Sequence, residues 1–259
     1  MDLGTLLNPA GGLRYHLRAL RYCNRQWKPF RWAIGEWLLG WRPRESNLLL
    51  VGPSAGYCLQ PFFFERFERI VCLEPDPVAR SLFRRRLRRA PLERQPRLEF
   101  IADDHLVHHP EKLTQLLGQL PDTCLLFSNV LGQLRVLLGT QDRTDPQLQR
   151  IESAIAQSIE GRSWASFHDR ISGDQHPMQD YPVTSNSRLS NQEILEEFFG
   201  LSARGEEERS VRWVDHLTEG LFPADLPHQY LTWEIEPGRF HVIEAVATPL
   251  PRGGDTPEP

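Results

Sequence analysis

The pattern of apolar and polar positions changes character at residue 47, and the two patterns call for different structures. Between residues 10 and 40, Leu13, Leu17, Leu20 and Trp27 recur at three-, four- and seven-residue spacings, with arginines filling the positions between them. That period predicts an amphipathic helix. Pro29 breaks the stretch, so a second helix carrying Trp32, Ile34, Trp37 and Leu38 is expected after it. Trp41-Arg42-Pro43-Arg44 reads as a linker.

From Asn47 the helical period gives way to short unbroken apolar runs at 48–51, 70–73, 98–101, 124–127 and 164–167. Each is closed by polar or turn-forming residues: Gly52-Pro53, Glu74-Pro75-Asp76-Pro77, Asp103-Asp104, Ser128-Asn129 and His168-Asp169. Runs of this length suit strands buried on both faces, as in a parallel sheet. Helical patterns fall between them at 59–67, 78–89, 111–120 and 146–159. Regular strand–helix alternation predicts a doubly wound α/β sheet, whose ligands bind outside the carboxyl ends of the strands.

Beyond the fifth run, residues 173–190 are polar and read as a loop or a lid. A helix at 192–199 follows, with Ser190 or Asn191 as N-cap. The segments 230–235 and 239–246, joined by Glu236-Pro237-Gly238, have the form of a β-hairpin. The expected organisation is a helical cap over 1–45, an α/β domain over 46–250 and a disordered tail over 251–259.

Composition narrows the function classes. With 30 Lys+Arg against 34 Asp+Glu the formal net charge is −4, which excludes a generally basic, histone-like chain. Only Lys28 and Lys112 are lysines; arginine supplies the other cations and concentrates before residue 32 and in 84–97. The latter stretch has no interleaved stacking aromatics, so it reads as a solvated helix face rather than a nucleic-acid surface. Cys23, Cys58, Cys72 and Cys124 form no CxxC pair and no zinc spacing, which points to reduced thiols and a cytoplasmic location. No stretch approaches the roughly 18 apolar residues of a membrane span, and no membrane partner is expected.

The polar run ends carry the candidate chemistry. In V-G-P-S-A-G-Y, residues 51–57, Gly52 and Gly56 allow a tight turn and a close ligand approach. The pattern G-x-G-x-x-G is absent, which argues against a nicotinamide-dependent oxidoreductase. Glu74 lies 22 residues beyond Gly52, near the roughly 20-residue spacing at which an acid binds ribose hydroxyls. Glu74 or Asp76 can equally serve the start of the following helix. His168 is the best-placed base by topology, or a cap of its strand end. His105, His108 and His109 sit beside two aspartates, but no further ligand is evident and no metal site is assigned.

These pieces together resemble a class I S-adenosylmethionine-dependent methyltransferase. The matching segments are LLLVGPSAGYCL, VCLEPDP, LEFIADD and LLFSNVLGQL, together with the terminal hairpin. The resemblance implies a Rossmann-like, doubly wound, seven-stranded sheet with an antiparallel last strand, plus the N-terminal helical cap. It implies that Gly52, Ser54 and Gly56 surround the methionine part of the cofactor and that Glu74 holds the ribose hydroxyls. Asp103 or Asp104 would reach the adenine amine, and Ser128 and Asn129 would lie near the transferred methyl. Asn129 and His168 are then the catalytic candidates. Two positions depart from the family: Leu50 stands where an acid is usual, and Ser54 replaces the middle glycine. The implied activity is methyl transfer from S-adenosylmethionine, leaving S-adenosylhomocysteine, to a small-molecule acceptor. RNA or protein acceptors, and a catalytically degenerate binding module, are the alternatives.

Overall fold

The computed structural model describes residues 12–103, 106–201 and 213–249. Two helices open it: α1 (Gly12–Tyr22) and α2 (Lys28–Gly40). Five strands follow in one parallel set: β1 (Asn47–Val51), β2 (Arg69–Leu73), β3 (Arg97–Ile101), β4 (Thr123–Ser128) and β5 (Trp164–Gly173). Between them lie α3 (Pro77–Arg89), α4 (Glu111–Gln119), α5 (Leu134–Leu138) and α6 (Pro146–Ile159). The remaining elements are β6 (Val183–Ser185), α7 (Asn191–Phe199), β7 (Val214–Asp215), β8 (His228–Glu236) and β9 (Arg239–Ala247).

The sheet order is β3-β2-β1-β4-β5-β9-β8-β6, with β7 pairing the far end of β5. β9 runs antiparallel between β5 and β8. The expected seven-stranded doubly wound sheet with its reversed last strand is therefore present, and β6 and β7 extend it to nine strands. The polar stretch 173–190 supplies β6 at the edge of β8, instead of a free loop. Ser190 caps α7 in a reciprocal capping box with Glu193.

Each apolar run divides between two cores because side chains alternate across a strand. Leu48, Leu50, Ile70, Cys72, Cys124, Leu126, Ala165 and Phe167 face one core; Leu49, Val51, Val71, Leu73, Leu125, Phe127 and Trp164 face the other. α4 and α6 close the second core through Leu113, Leu117, Leu148, Ile151 and Ile155. The first core is closed differently. The helix expected at 59–67 is a 3-10 turn at Pro61–Arg66, beginning at the proline. α2 packs on that turn and on β8, and Phe30, Ile34 and Leu38, with Trp27 just before the helix, fill the face. The Phe30 ring stacks on Trp233 at 4.8 Å, the Trp27 ring meets it edge-on at 4.9 Å, and Trp27 Nε1 donates to the Ile235 carbonyl at 2.9 Å. The N-terminal helices thus share a hydrophobic core with the sheet.

α1 presents the opposite face from the one its leucine spacing predicts. His16 and Ala19 are buried and Tyr15 and Tyr22 half-buried, whereas Leu13, Leu17 and Leu20 are exposed. Specific contacts win over the apolar stripe: the Tyr15 ring packs tilted against Trp27 and edge-on against Tyr57, and His16 bonds to two polar groups described below. No described helix is long and apolar enough to cross a membrane. The four thiols are free, and burial raises those of Cys72 and Cys124. Residues 251–259, read as a tail, lie outside the described residues.

Candidate active site

The carboxyl ends of β1, β2 and β4 converge on one rim. Gly52, Ser54 and Gly56 all take left-handed backbone angles, at φ 62°, 50° and 68°. Ser54 is the residue for which this is unfavourable, by about 1 kcal/mol. A Cβ on Gly52 would fall against the Val130 side chain, so the turn after β1 and the turn after β4 lie in direct contact. Glu74, immediately past β2, is buried and holds the turn: its Oε2 accepts from Ser54 N at 2.8 Å and its Oε1 from Asp76 N at 3.0 Å. Burial raises the Glu74 carboxyl to about 7, against the opposing pull of those two amides. Asp76, not Glu74, caps α3 by accepting from Val78 N at 2.8 Å.

The helical cap reaches this rim. His16 of α1 lies 3.3 Å from the Tyr57 hydroxyl and 3.0 Å from Asp76 Oδ2. From α3, Arg86 turns inward, donates to the carbonyls of Ala55 and Gly56 and lies over the Tyr57 ring. Arg84, Arg85, Arg88 and Arg89 stay on the outer side of α3.

Ser128 and Asn129 are buried at the end of β4. Asn129 has φ 54°, donates its amide to the Phe167 carbonyl at 2.8 Å, and keeps its side-chain Oδ1 buried without a partner. A buried acceptor left open in this way fits a ligand that brings a donor. Asp103, at the end of β3, is exposed and lies 3.4 Å from Lys112 Nζ. Asp104 and His105 lie outside the described residues. Among the described residues no group of three or more His, Cys, Asp or Glu can hold a metal.

His168 is not where its sequence position places it. β5 does not end at residue 167; it continues to Gly173 through a register shift between Asp169 and Ile171, paired with β9. His168 therefore sits within the strand, fully buried, with Nδ1 at 2.9 Å from Ser166 Oγ and its ring against Phe222. Burial lowers its pKa to about 4, which leaves a neutral ring with no path to a ligand. Beside it, Arg170 and His228 both pair with buried Glu244, whose pKa falls to about 2: burial acts to raise it, but His228, His168 and Arg170 outweigh that. Arg170 also donates to the Leu189 carbonyl and to Asn191 Oδ1, tying β5 and β9 to the start of α7.

The next residue faces the rim instead. Asp169 is buried, and a Cβ placed on Gly132 would come within 3 Å of it, so the β4 turn packs on its side chain. His241 Nδ1 donates to Asp169 Oδ1 at 2.7 Å. His216 lies 5.7 Å from the His241 ring and bonds the Gly132 carbonyl at 2.7 Å and Ser172 Oγ at 3.0 Å. Burial acts to raise the Asp169 carboxyl, but His241 and then His216 reverse this and hold it low. The Trp233 ring lies 5.9 Å from that of His241, and the Tyr15 hydroxyl is 3.7 Å from Cys58 Sγ. Burial, then the neighbouring Cys58, Tyr57 and Asp169, raise Tyr15 well above its usual value. The one sequence signal for His241 is an imidazole flanked by apolar residues in the strand, Phe240-His241-Val242.

Five parallel strands in the order 3-2-1-4-5 are joined by an antiparallel last strand inserted beside the fifth. The fold is that of the class I methyltransferases. Solved structures similar to this chain include three methyltransferases. One is a SAM-dependent methyltransferase from Aquifex aeolicus, with 10% identity, 89% of this chain and 97% of that chain covered, and a TM-score of 0.42. A second is the N-methyltransferase NodS from Bradyrhizobium japonicum in complex with S-adenosylhomocysteine, at 12% identity over 68% and 90% of the two chains and a TM-score of 0.39. A third is the glycopeptide N-methyltransferase MtfA complexed with S-adenosylmethionine, at 14% identity over 83% and 92% and a TM-score of 0.36. No family model matches the chain, and no curated protein matches it in sequence.

Proposed function

We propose that the protein is an S-adenosylmethionine-dependent methyltransferase acting on a small-molecule acceptor. The observation that carries this reading is the Glu74 carboxylate at the end of β2, buried and joined to the left-handed Gly52–Gly56 turn. Gly52, Ser54 and Gly56 would border the methionine part of the cofactor, Glu74 would take the ribose hydroxyls, and Asp103, Ser128 and Asn129 would border the rest. The open Asn129 Oδ1 fits this role, because the cofactor carries amine donors. When bound, the cofactor supplies an activated methyl group on a sulfonium.

What the protein adds is position and a proton acceptor. With Nδ1–H committed to Asp169, the His241 ring offers Nε2 as its basic nitrogen. His241 then accepts the proton of an acceptor O–H or N–H, and Asp169 orients and stabilises the charged ring. This pair replaces His168 in that role. The N-terminal helices reach over the rim through His16, which bonds Tyr57 and Asp76, and a covered rim favours a small acceptor over a polymer.

Incubation with methyl-labelled cofactor and a cell extract, followed by separation by size, tests the acceptor class. Label in the small-molecule fraction is expected; label on RNA or protein contradicts it. Two features favour a binding module as a second reading. Leu50 is fully buried where the family has an acid, and backbone amides engage both Glu74 oxygens. Cofactor binding with no label transferred to any fraction would select that reading.

A further inference from the structure

The N-terminal sequence repeats Leu-Arg at 13–14, 17–18 and 20–21, and α1 turns that repeat into two parallel rows. Leu13, Leu17 and Leu20 stand at i, i+4 and i+7 on one face, 51%, 58% and 66% exposed. Each arginine follows its leucine by about 100° around the helix, so Arg14, Arg18 and Arg21 flank the apolar row on one side. Arg18 is held by Glu236 at 3.1 Å, while Arg14, Arg21, Arg25 and Lys28 make no ion pair among the described residues. Glu36 is the one acid between residues 12 and 40. Trp32 of α2 is 63% exposed.

This face plays no part in the fold. The packed side of α1 carries Tyr15, His16 and Ala19, and all three leucines of the helix are left exposed. A row of exposed leucines beside a row of arginines has the chemistry of an interfacial helix. The leucines enter the boundary of the acyl chains, and the guanidinium groups stay among anionic headgroups. We infer that α1 docks the protein on an anionic lipid surface. The expectation of no membrane partner rested on spanning segments, and a helix lying in the interface needs none.

The alternatives use only half of the feature. A nucleic-acid backbone would engage the arginines and leave the leucines exposed. A second copy packed antiparallel, leucine to leucine about a two-fold axis, would bring the two arginine rows together, which is repulsive, and a parallel pair would leave both rows without an acidic partner. Neither proposal is needed for the active-site reading, and the docking inference does not depend on it.

Vesicle co-sedimentation of the full chain tests the inference directly. The probes are vesicles of phosphatidylcholine alone and of phosphatidylcholine with an equal part of phosphatidylglycerol. Binding at least about tenfold stronger to the anionic vesicles is expected, weakening as salt is raised. The double variant Leu17→Glu/Leu20→Glu should lose that binding by at least about tenfold with an unchanged melting temperature, since both side chains are exposed. Arg14→Glu/Arg21→Glu should lose the preference for anionic vesicles. Equal or no binding to the two vesicle types by the wild-type chain would overturn the inference. So would tighter binding to a poly(U) oligonucleotide, or a dimer in sedimentation that the leucine variant abolishes.

Discussion

His241 donates its Nδ1 proton to the buried carboxylate of Asp169 at 2.7 Å, and the two residues come from neighbouring antiparallel strands that the chain separates by 72 positions. Asp169 packs against Gly132 in the turn after β4, and the geometry of the pair directs the basic Nε2 away from the carboxylate. Asp169→Asn keeps the shape but removes the charge that stabilises a protonated His241. Methyl transfer to the native acceptor should fall by about 10²-fold or more, with binding of S-adenosylhomocysteine within about threefold of wild type. Equal turnover in the variant, measured as S-adenosylhomocysteine release, would remove the pair from the mechanism.

His168, by contrast, is fully buried within β5 and is expected to act on stability rather than on the acceptor. Its folded pKa of about 4 lies below the roughly 6.5 of an unfolded histidine, so between these values the unfolded chain binds more protons. Stability contributed by this group is complete above pH 6.5 and is lost as pH falls toward 4, by up to about 3 kcal/mol. His168→Asn keeps a partner for Ser166 and should flatten that part of the stability–pH curve in denaturant titrations. An unchanged pH dependence would contradict the burial argument, and loss of methyl transfer would contradict its exclusion from the site.

The Arg170–Glu244–His228 network has no water path and joins three elements. Glu244→Gln leaves Arg170 with the more exposed Glu219 carboxylate at 3.5 Å in place of its buried partner and should cost about 3 kcal/mol of unfolding free energy. Chemical denaturation checks this, and a loss under about 1 kcal/mol would show that the network is better solvated than its burial indicates.

The sheet was readable in the sequence because unbroken runs such as Leu48-Leu49-Leu50-Val51 have only one comfortable setting, a strand covered on both faces. Glu74 was readable because the strand end and the glycine turn fix its place. Three features were not. Pro61 and three successive phenylalanines gave a 3-10 turn where an apolar pattern resembled a helix, since α2 already covered that face. α1 rotated its leucines outward because His16 and Tyr15 found partners on the glycine turn and α2, contacts that spacing does not encode. Asp169 and His241 meet only through the register of β5 on β9, including the shift after Asp169, so His168 looked like the strand end when its neighbour was the one facing the rim.

The central claim is that the rim around Glu74 binds S-adenosylmethionine, and isothermal titration of the full chain with the cofactor and its demethylated product tests it most directly. Saturable binding of both is expected, strengthening as pH rises through about 7, because the ionised Glu74 accepts the ribose hydroxyls better than the protonated form. Glu74→Ala should weaken it by about 10–100-fold. No heat of binding at millimolar cofactor, or equal affinity in the Glu74→Ala variant, would contradict the claim.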